Sequence, residues 1–490
     1  MLHDTVDTSS AQIMDSGVDL EAFEELTRLT ADLAEDNSKD EFEDEDIEET
    51  LLLEELPTKK FLEQSVIKQR EDNICPFDIL PEEIILRIFS FFTLGELCRH
   101  VAPICKMWLH YSRCPLLRQK LSFWESSRER SLEEINDIIQ SNFTLLRDLC
   151  LQPRMELTLH GCRLLAQSCP HLQTLSLSFC SQVNKPIIDQ FVTFCPKLRD
   201  LNLAGCGVTD QCLDGLNKVP LRKFNASHCT KLTDDGLKFL STKCHQLCHL
   251  NFDGIQWITH DAITVLVENC YRRLEYLWLD GENMTDCTVQ LIGKCYHLKC
   301  LGLSFCTSLT DQSLECVQNM KNLASLTLKK GTEFSAKALK ELFEHLHPQN
   351  SGSATGLFHV NVAECTNLND EAVSSLAESC RNLRSIDISW CWEVTDVGLG
   401  HVINKCHQMI DMNICGAKDF RGNPLKKIPQ QMPRLRRLDA SQCNLVPDEL
   451  LDELVSIMPQ MTVINYYGEE VLPPKYISET HIVKVGTWFK

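Results

Sequence analysis

Residues 295–316 read CYHLKCLGLSFCTSLTDQSLEC, and their spacing decides the fold. Cys295, Leu298, Leu301, Leu303 and Cys306 form a template that recurs along the chain. Matching registers begin at residues 143, 169, 195, 218, 244, 270, 295, 320, 354, 380, 406, 432 and 458. Most intervals between these thirteen registers lie within 23 to 27 residues, a period typical of solenoids whose coils each hold one strand and one helix. The sequence therefore predicts an α/β solenoid of about 13 coils, with parallel strands inside and helices outside.

Two further features accompany the repeat. Many coils carry a Thr-Asp pair that fits a helix N-cap, with the hydroxyl accepting a backbone N–H and the carboxylate facing the positive helix end. The pairs are Thr209-Asp210, Thr233-Asp234, Thr285-Asp286, Thr310-Asp311 and Thr395-Asp396. One interval, from 320 to 354, is 34 residues long and includes HPQNSGSATG. The excess predicts a surface loop after a helix, at the edge of a binding face.

The cysteines follow the repeat. Fourteen of the 26 occupy its first or last template position. The first position holds Cys169, Cys195, Cys244, Cys270, Cys295, Cys380 and Cys406, and the last holds Cys180, Cys206, Cys229, Cys306, Cys365, Cys391 and Cys443. Because coils stack about 4.8 Å apart, they predict two rows of small buried side chains. CHQLCH at 244–249 is the best zinc alternative, but no second Cys/His pair has the required spacing, so neither a metal nor another cofactor is expected.

The negative charge of the chain is concentrated near residue 1. Residues 1–72 hold 23 Asp and Glu against 6 Lys and Arg, so they carry −17 of the total charge of −21. We predict that this acidic region is disordered, with two short apolar stripes beginning at Ala22 and Ile47 that could dock on a partner. No basic face for nucleic acid and no membrane-spanning apolar run is visible. We expect a cytoplasmic protein, with nuclear residence left open.

Residues 76–109 precede the repeats and read PFDILPEEIILRIFSFFTLGELCRHVAPICKMWL. Leu80-Pro81 predicts a helix start, since the missing N–H of proline is harmless in the first turn. The apolar face that follows at helical spacing comprises Ile84, Ile85, Ile88, Phe89 and Phe92. A segment of this length cannot bury so many large side chains alone, because domains below about 40 residues usually need a metal, disulfides or a partner. Something else must cover them.

Both parts of the chain resemble known families. The repeats, with their SFC, SWC and TD signatures over roughly residues 143–467, resemble the cysteine-containing class of leucine-rich repeats. The preceding segment closely resembles an F-box, through Leu80-Pro81, Glu83, Ile88-Phe89, Leu97-Cys98 and Cys105-Lys106-Met107-Trp108. Phe91-Phe92 departs from the commoner aromatic-leucine pair of that motif. CPLLRQKLSF at 114–123 is similar to the join between an F-box and the first coil in F-box/leucine-rich-repeat proteins.

This resemblance implies a function. A protein of that family is the substrate receptor of an SCF-type cullin-RING ubiquitin ligase, in which a SKP-type adaptor binds the F-box and the repeats bind protein substrates. Such a receptor is no catalyst, because it only raises the effective concentration of a substrate lysine near a ubiquitin-loaded enzyme. We expect adaptor contacts at Leu80, Pro81, Ile84, Ile88, Phe89, Leu97, Val101, Cys105 and Trp108, although some of these must pack the module's own small core.

Other interpretations stay open. The helices within 76–109 could cap the first coil, in addition to or instead of binding an adaptor. The repeats could also act as a scaffold that binds partners without directing their ubiquitination, which the sequence does not separate from a ligase receptor. An enzyme is disfavoured, because no glycine-rich phosphate loop, paired catalytic carboxylates or nucleophile elbow stands outside the repeat.

The substrate surface is predicted from strand alternation. Residues between the core leucines should point outward along the concave face, and most are small or polar. Two neighbouring coils differ, with His249, Asn251, Asp253, Tyr276, Trp278 and Asp280. Aromatic anchors are typical hot spots, and the two carboxylates favour a substrate segment carrying Lys or Arg. Trp278 could instead pack on its neighbours or under the C-terminal tail. Trp390 occupies the position of Phe179 and Phe305, which indicates repeat packing.

We therefore predict four regions: an acidic region at 1–73, the F-box at 74–116, the solenoid at 117–470 and a tail at 471–490. A terminal coil exposes an unpaired strand edge, and such edges are normally covered. The tail holds apolar residues for this purpose, namely Ile482, Val483, Val485, Trp488 and Phe489. We expect them to cap the last coil, with folding back toward the concave face as the alternative.

Overall fold

The computed structural model describes residues 80–92, 94–124, 130–151, 153–346 and 356–472. Fourteen short strands form one sheet in which each strand pairs in parallel with the next strand in the chain. They are β1 Lys120–Ser122, β2 Asp148–Cys150, β3 Thr174–Ser176, β4 Asp200–Asn202, β5 Lys223–Asn225, β6 His249–Phe252, β7 Tyr276–Asp280, β8 Cys300–Ser304, β9 Ser325–Leu328, β10 His359–Asn361, β11 Ser385–Asp387, β12 Asp411–Asn413, β13 Arg437–Asp439 and β14 Thr462–Ile464. The predicted α/β solenoid is confirmed.

Helices alternate with these strands. They are α1 Glu82–Phe89, α2 Leu94–Glu96, α3 Lys106–Ser112, α4 Leu132–Asn142, α5 Leu159–Ser168, α6 Lys185–Phe194, α7 Asp234–Lys243, α8 His260–Cys270, α9 Asp286–Ile292, α10 Asp311–Val317, α11 Ala336–His345, α12 Asp370–Ser379, α13 Asp396–Lys405, α14 Ile428–Gln431 and α15 Asp448–Ile457. A π-helix spans Leu97–Val101, and short 3-10 helices span Pro115–Leu117, Asp210–Leu213, Leu216–Lys218 and Asn423–Lys427. Within the described residues no helix has the length and apolar character needed to cross a bilayer.

One continuous core runs through the coils, from Leu121 to Val463. The template leucines at 298, 301 and 303 are at most 1% exposed. The structure has one strand more than the thirteen predicted registers, namely β1. In that coil the second template position is Arg118, which is buried and donates from Nε to the Ser112 carbonyl at 3.2 Å. Because arginine stands where the repeat has a core leucine, the leucine pattern did not reveal this coil.

The two predicted cysteine rows are present, and all fourteen members are buried. In five members of the second row the thiol donates to a carbonyl of the preceding coil, as from Cys229 to Leu203 at 3.0 Å and from Cys443 to Ile414 at 3.0 Å, whereas Cys306 donates to Leu303 of its own coil. Burial raises the pKa of the Cys195 thiol to about 12, so this thiol stays protonated and inert at neutral pH. The rows are structural links between coils.

The Thr-Asp pairs connect neighbouring coils. The threonines stand at N-cap positions, and the hydroxyls of Thr233, Thr310 and Thr395 accept a backbone N–H of their own helix. The hydroxyls of Thr209 and Thr285 make no such bond. Five aspartates at helix starts, four of them from these pairs, accept the N–H and hydroxyl of the N-cap residue in the following coil. The pairs are Asp210 with Thr233, Asp234 with Thr259, Asp286 with Thr310, Asp311 with Ser335 and Asp370 with Thr395. We call this series the aspartate ladder.

Aromatic residues at the carboxyl ends of the strands also stack between coils. Phe179, Phe305 and Trp390 share a left-handed backbone, with φ of 59°, 55° and 58°. Trp390 covers Gly416 of the next coil, where a Cβ would lie 2.6 Å from the indole Cδ2. This geometry agrees with the repeat packing predicted for Trp390.

The chain begins to cover the edge of the last strand itself. After β14 it turns back, so that the Val471 N–H donates to the Val463 carbonyl at 2.8 Å and Glu470 bridges Ile464 in antiparallel fashion. The tail residues predicted to cap this edge, from 473 onward, lie outside the described residues. So do the acidic region and positions 347–355 of the predicted inserted loop. Helix α11 ends at His345, just before this segment begins.

Candidate functional site

The helical segment ahead of the repeats contains a small core of its own. Ile85, Phe89, Leu97 and Val101 are at most 3% exposed. The Phe89 ring meets the Trp108 ring edge-on at a centroid distance of 5.2 Å. Three of the predicted adaptor contacts, Phe89, Leu97 and Val101, therefore face inward. In this structure they support the module and are not available for direct contact.

Other side chains of the segment lie at its surface. Pro81, Ile84 and Cys105 are exposed, whereas Leu80, Ile88 and Trp108 are half-buried. Cys105 also caps α3, because its Sγ accepts the Trp108 N–H at 3.4 Å. Phe91 and Ile104, which are 76% and 60% exposed, were not among the predicted adaptor contacts. Ile84, Phe91, Phe92 and Ile104 are all exposed, and we call them the exposed apolar patch. Large apolar side chains exposed on a small module are typical of interaction surfaces.

Strands β6 and β7, together with Asp253 directly after β6, carry the six residues predicted to bind substrate. His249, Asn251, Asp253, Tyr276, Trp278 and Asp280 form what we call the sheet-face cluster. Leu250, Leu277 and Leu279 between them point into the core, so the cluster projects from the opposite face of the sheet. The His249 and Tyr276 rings meet at a centroid distance of 3.9 Å. The structure brings the six residues together, but all except His249 are only 4% to 8% exposed.

Trp278 is held by the next strand. Its indole N–H donates to Cys300 Sγ at 3.2 Å. The ring lies across Gly302, where any Cβ would overlap it. Trp278 therefore packs on its neighbours, which was one of the alternatives drawn from the sequence. It forms a rigid part of the face.

A turn that recurs after the strands of many coils is absent at β7, within the sheet-face cluster. Seven coils place Asn or Asp at the third strand position, where the side-chain oxygen accepts the backbone N–H two residues later. These residues are Asn202, Asn225, Asn251, Asn361, Asp387, Asn413 and Asp439. At the same register β7, β8 and β9 carry Trp278, Gly302 and Thr327 instead. Strands β7 and β8 are five residues long, against three in most coils.

The electrostatics of the cluster are unusual. Asp280 Oδ1 accepts the Glu282 N–H at 2.9 Å, whereas Asp280 Oδ2 has no hydrogen-bond partner within the described residues. Burial raises the pKa of the Asp280 carboxyl, against the hydrogen bond from Glu282 and with the help of the negative Asp253. Burial also lowers the pKa of His249 to about 2, so its imidazole is neutral at physiological pH.

No group of three or more His, Cys, Asp or Glu side chains suited to a metal ion occurs in the part of the chain that the structure describes. The CHQLCH segment is taken up by other contacts. Cys244 belongs to the first cysteine row, Cys248 donates from Sγ to the Arg222 carbonyl at 3.6 Å, and His249 packs on Tyr276.

Stacked strand and helix coils with buried leucine and cysteine rows define a leucine-rich-repeat protein. The family model described as Leucine Rich repeat matches residues 194–213 and 379–400. The chain is also similar to F-box/LRR-repeat protein 4 of Bos taurus, with 25% identity over 261 residues that cover 51% of this chain and 40% of the relative. The predicted resemblance to F-box/leucine-rich-repeat proteins is confirmed at this level.

A second relative is DNA repair protein rhp7 of Schizosaccharomyces pombe, 24% identical over 375 residues that cover 70% of this chain and 60% of rhp7. The matches thus span about two fifths to three fifths of the length of these relatives. Among solved structures, the crystal structure of the Rad7 and Elc1 complex in yeast contains a similar chain. The TM-score is 0.56 and the identity 18%, over 77% of this chain and 98% of the other, which shows a shared fold. None of these relatives supports the cytoplasmic location, which stays a prediction.

Proposed function

We propose that the protein is the substrate-receptor subunit of an SCF-type ubiquitin ligase. In this proposal a SKP-type adaptor binds the segment from Leu80 to Ser112. The face of the repeat sheet that points away from the core binds a protein substrate. The exposed apolar patch carries the proposal, because it lies on a small module that has the F-box motif and directly precedes the repeats.

The division of labour within the module supports this role. Ile85, Phe89, Leu97 and Val101 fill its core, so the fold of the module does not need Ile84 or Ile104. When a partner covers large apolar side chains that are exposed to water, the complex is stabilised by about 25 cal/mol for each Å² of apolar surface buried. A docked adaptor supplies that cover.

The first prediction tests the adaptor. An Ile84→Asp/Ile104→Asp variant should lose at least about tenfold in adaptor affinity, because a charge placed in an apolar interface is desolvated without a partner. Leu80→Ala/Pro81→Ala should also reduce recovery. The measurement is a pull-down of the full chain with a purified SKP-type adaptor, followed by titration.

Ile457→Asp is the matched control, since Ile457 is 55% exposed on α15 of the solenoid. It should bind the adaptor like the wild type. Equal adaptor affinity of the wild type and the Ile84→Asp/Ile104→Asp variant would refute the assignment. Because Rad7, whose fold is similar, forms a complex with Elc1, an Elc1-type protein should be tested in parallel as the alternative adaptor.

A scaffold remains the alternative function. It would bind the same adaptor and partners, but polyubiquitin on co-purified proteins would not depend on the module. The receptor proposal requires that this polyubiquitin disappears in the Ile84→Asp/Ile104→Asp variant and persists in Ile457→Asp. If both variants leave the same polyubiquitin on partners, the scaffold interpretation is favoured.

A further inference from the structure

The two edges of the repeat sheet differ in charge. The aspartate ladder lies along one edge, where the helices begin. On the other edge, the connections that lead from a helix into β2–β9 and β11–β14 hold thirteen Lys and Arg residues but one acidic residue, Glu275. We call these cations the basic edge, and they are Arg147, Lys197, Arg199, Arg222, Arg272, Arg273, Lys294, Lys299, Lys321, Arg381, Arg384, Arg434 and Arg436. The sequence showed no basic face, because one or two cations per coil form a row only when the coils stack.

Helix dipoles explain only part of this pattern. A cation near the last turn of a helix interacts favourably with its negative end, but the effect falls off within that turn. Six members of the basic edge directly precede a strand instead, four to seven residues after the preceding helix ends. These six are Arg147, Arg199, Arg222, Lys299, Arg384 and Arg436. The edge therefore holds more positive charge than its own helices account for.

Two observations describe the potential along this edge. Burial, Lys197 and Arg147 lower the pKa of His171, which lies in the connection that leads into β3. Glu275 neutralises one cation, since its carboxylate lies 2.9 Å from Lys299 Nζ. With a single carboxylate among thirteen cations, these connections form a positively charged strip that attracts anions.

A groove of about 540 Å³ opens on the basic edge between α8 and α9. Helix α9 has seven residues against eleven in α8, so it ends about one turn earlier. Val267 of α8 and Leu291 of α9 line the groove together with Tyr271 and Tyr296 from the connections that follow these helices. Tyr296 is 52% exposed. The basic edge thus includes one open apolar site.

The geometry of the groove suits an apolar side chain. The rings of Tyr271 and Tyr296 lie 6.2 Å apart at an interplanar angle of 68°, so they leave no parallel-sided slot in which a nucleic-acid base could stack. Charged groups surround the opening. Lys294 and Glu268 line it, and Arg272 lies at its margin, where Nε donates to the Tyr271 hydroxyl at 2.7 Å.

We propose that the basic edge binds an acidic segment of a partner protein, which places one apolar side chain in the groove between α8 and α9. The carboxylates of the segment pair with Arg272, Lys294 and cations of neighbouring coils. Its apolar side chain displaces water from Val267 and Leu291. This surface lies apart from the sheet face, so the proposal goes beyond the proposed function and does not depend on it.

The test is a fluorescence-anisotropy titration of the full chain with three labelled peptides of equal length. The first peptide has one Leu between two runs of Glu, the second has Gln in place of every Glu, and the third has Ser in place of Leu. The first should bind about tenfold more tightly than either of the others, because each exchange removes the charges or the apolar contact.

Variants locate the two parts of the site. Arg272→Gln/Lys294→Gln should cut the preference for Glu over Gln to about threefold or less, since both cations are exposed at the groove. Tyr296→Ser should reduce the preference for Leu over Ser to the same extent. Lys337→Gln in the first turn of α11 and Tyr467→Ser after β14 are the matched controls, because both side chains are exposed away from the basic edge. Both controls should keep both preferences.

The proposal is overturned if the wild type binds the Glu and Gln peptides equally, or if Arg272→Gln/Lys294→Gln keeps the full preference for Glu. An unchanged preference for Leu in Tyr296→Ser overturns it as well. Other occupants have outcomes of their own. If a single-stranded oligouridylate binds more tightly than the first peptide and loses affinity in Arg272→Gln/Lys294→Gln, the edge is a nucleic-acid surface. If the first peptide binds only a variant that begins at residue 74, the chain's own acidic residues occupy the edge, and a partner protein does not.

Discussion

His359 shows how single residues of the sheet face respond to pH. Its side chain is 6% exposed, and burial, together with the nearby Arg384, lowers its pKa to about 4. In the unfolded chain a histidine binds a proton near pH 6.5, so below that pH the unfolded state binds more protons than the folded state. Stability due to His359 is therefore complete above about pH 6.5 and is lost as the pH falls toward 4.

The second prediction follows from this linkage. Between pH 7 and pH 5 the wild type should lose up to about 1.4 kcal/mol of stability per pH unit through His359. His359→Asn should show a correspondingly shallower pH dependence. Urea unfolding at several pH values measures the slopes. Parallel curves for wild type and His359→Asn would contradict the prediction.

At the scale of single residues, the sequence predicted which side chains lie on the face of the sheet opposite the core. It did not predict how deeply those side chains are buried. Strand alternation alone places Tyr276, Trp278 and Asp280 on one side, because successive side chains point to opposite faces. The low exposure of Trp278 depends on Gly302 and Cys300 in the next coil, which no pattern within its own coil reveals. The role of Asn251 was also missed, since its side-chain oxygen is already engaged in a turn.

At the scale of helices and strands, the aspartate ladder joins one coil to the next. Asp286, at the start of α9, accepts hydrogen bonds from the Thr310 N–H, the Thr310 hydroxyl and the Ser313 hydroxyl of the following coil. Partial burial acts to raise the pKa of Asp286, but these hydrogen bonds outweigh it and hold the pKa below its usual range. The Thr-Asp motif was read from the sequence as a local cap, because spacing within one coil does not show which coil supplies the acceptor.

The third prediction concerns this ladder. Asp286→Ala should destabilise the protein by about 1–3 kcal/mol, since it leaves the N-cap of α10 without its acceptor. Asp235→Ala is a suitable control, because Asp235 lies in the first turn of α7 but accepts none of the ladder bonds within the described residues. It should change stability by less than about 1 kcal/mol. Chemical denaturation and hydrogen exchange of the Thr310 amide measure the effect. A Thr310 amide as protected in Asp286→Ala as in the wild type would rule the ladder out as a stabilising contact.

For the whole molecule, the repeat period was sufficient to predict the fold. Leucines and cysteines that return at a fixed interval can be buried only if the coils stack. The period did not reveal β1, whose core position is Arg118, or the surface position of Phe91 and Ile104 in the preceding module. Both depend on contacts between segments that do not share the repeat.

The fourth prediction uses the cysteines to probe the whole chain. Among the described cysteines only Cys98, Cys105 and Cys287 are exposed, whereas the rows are buried with raised pKa values such as about 12 for Cys229. A thiol reagent applied under native conditions should therefore modify those three first, because the reactive form is an accessible thiolate. Mass-spectrometric mapping of the labelled peptides, with the urea-unfolded protein as the reference, tests this. Early labelling of Cys195 or Cys229 would show that the coils are not stacked as described.

The direction of the aspartate ladder has a consequence for the order in which the coils fold. Every acceptor belongs to a coil that precedes its donor, as Asp210 precedes Thr233 and Asp370 precedes Thr395. During synthesis a ribosome releases the earlier coil first, so each new helix emerges to find its anchoring carboxylate already in place. A chain shortened from its far end keeps the acceptor of every remaining ladder bond, whereas loss of a coil that holds a ladder aspartate leaves the N–H and hydroxyl of the next N-cap residue without their acceptor. If the coils fold in the order in which they are translated, the acceptor of every ladder hydrogen bond is therefore present before its donor.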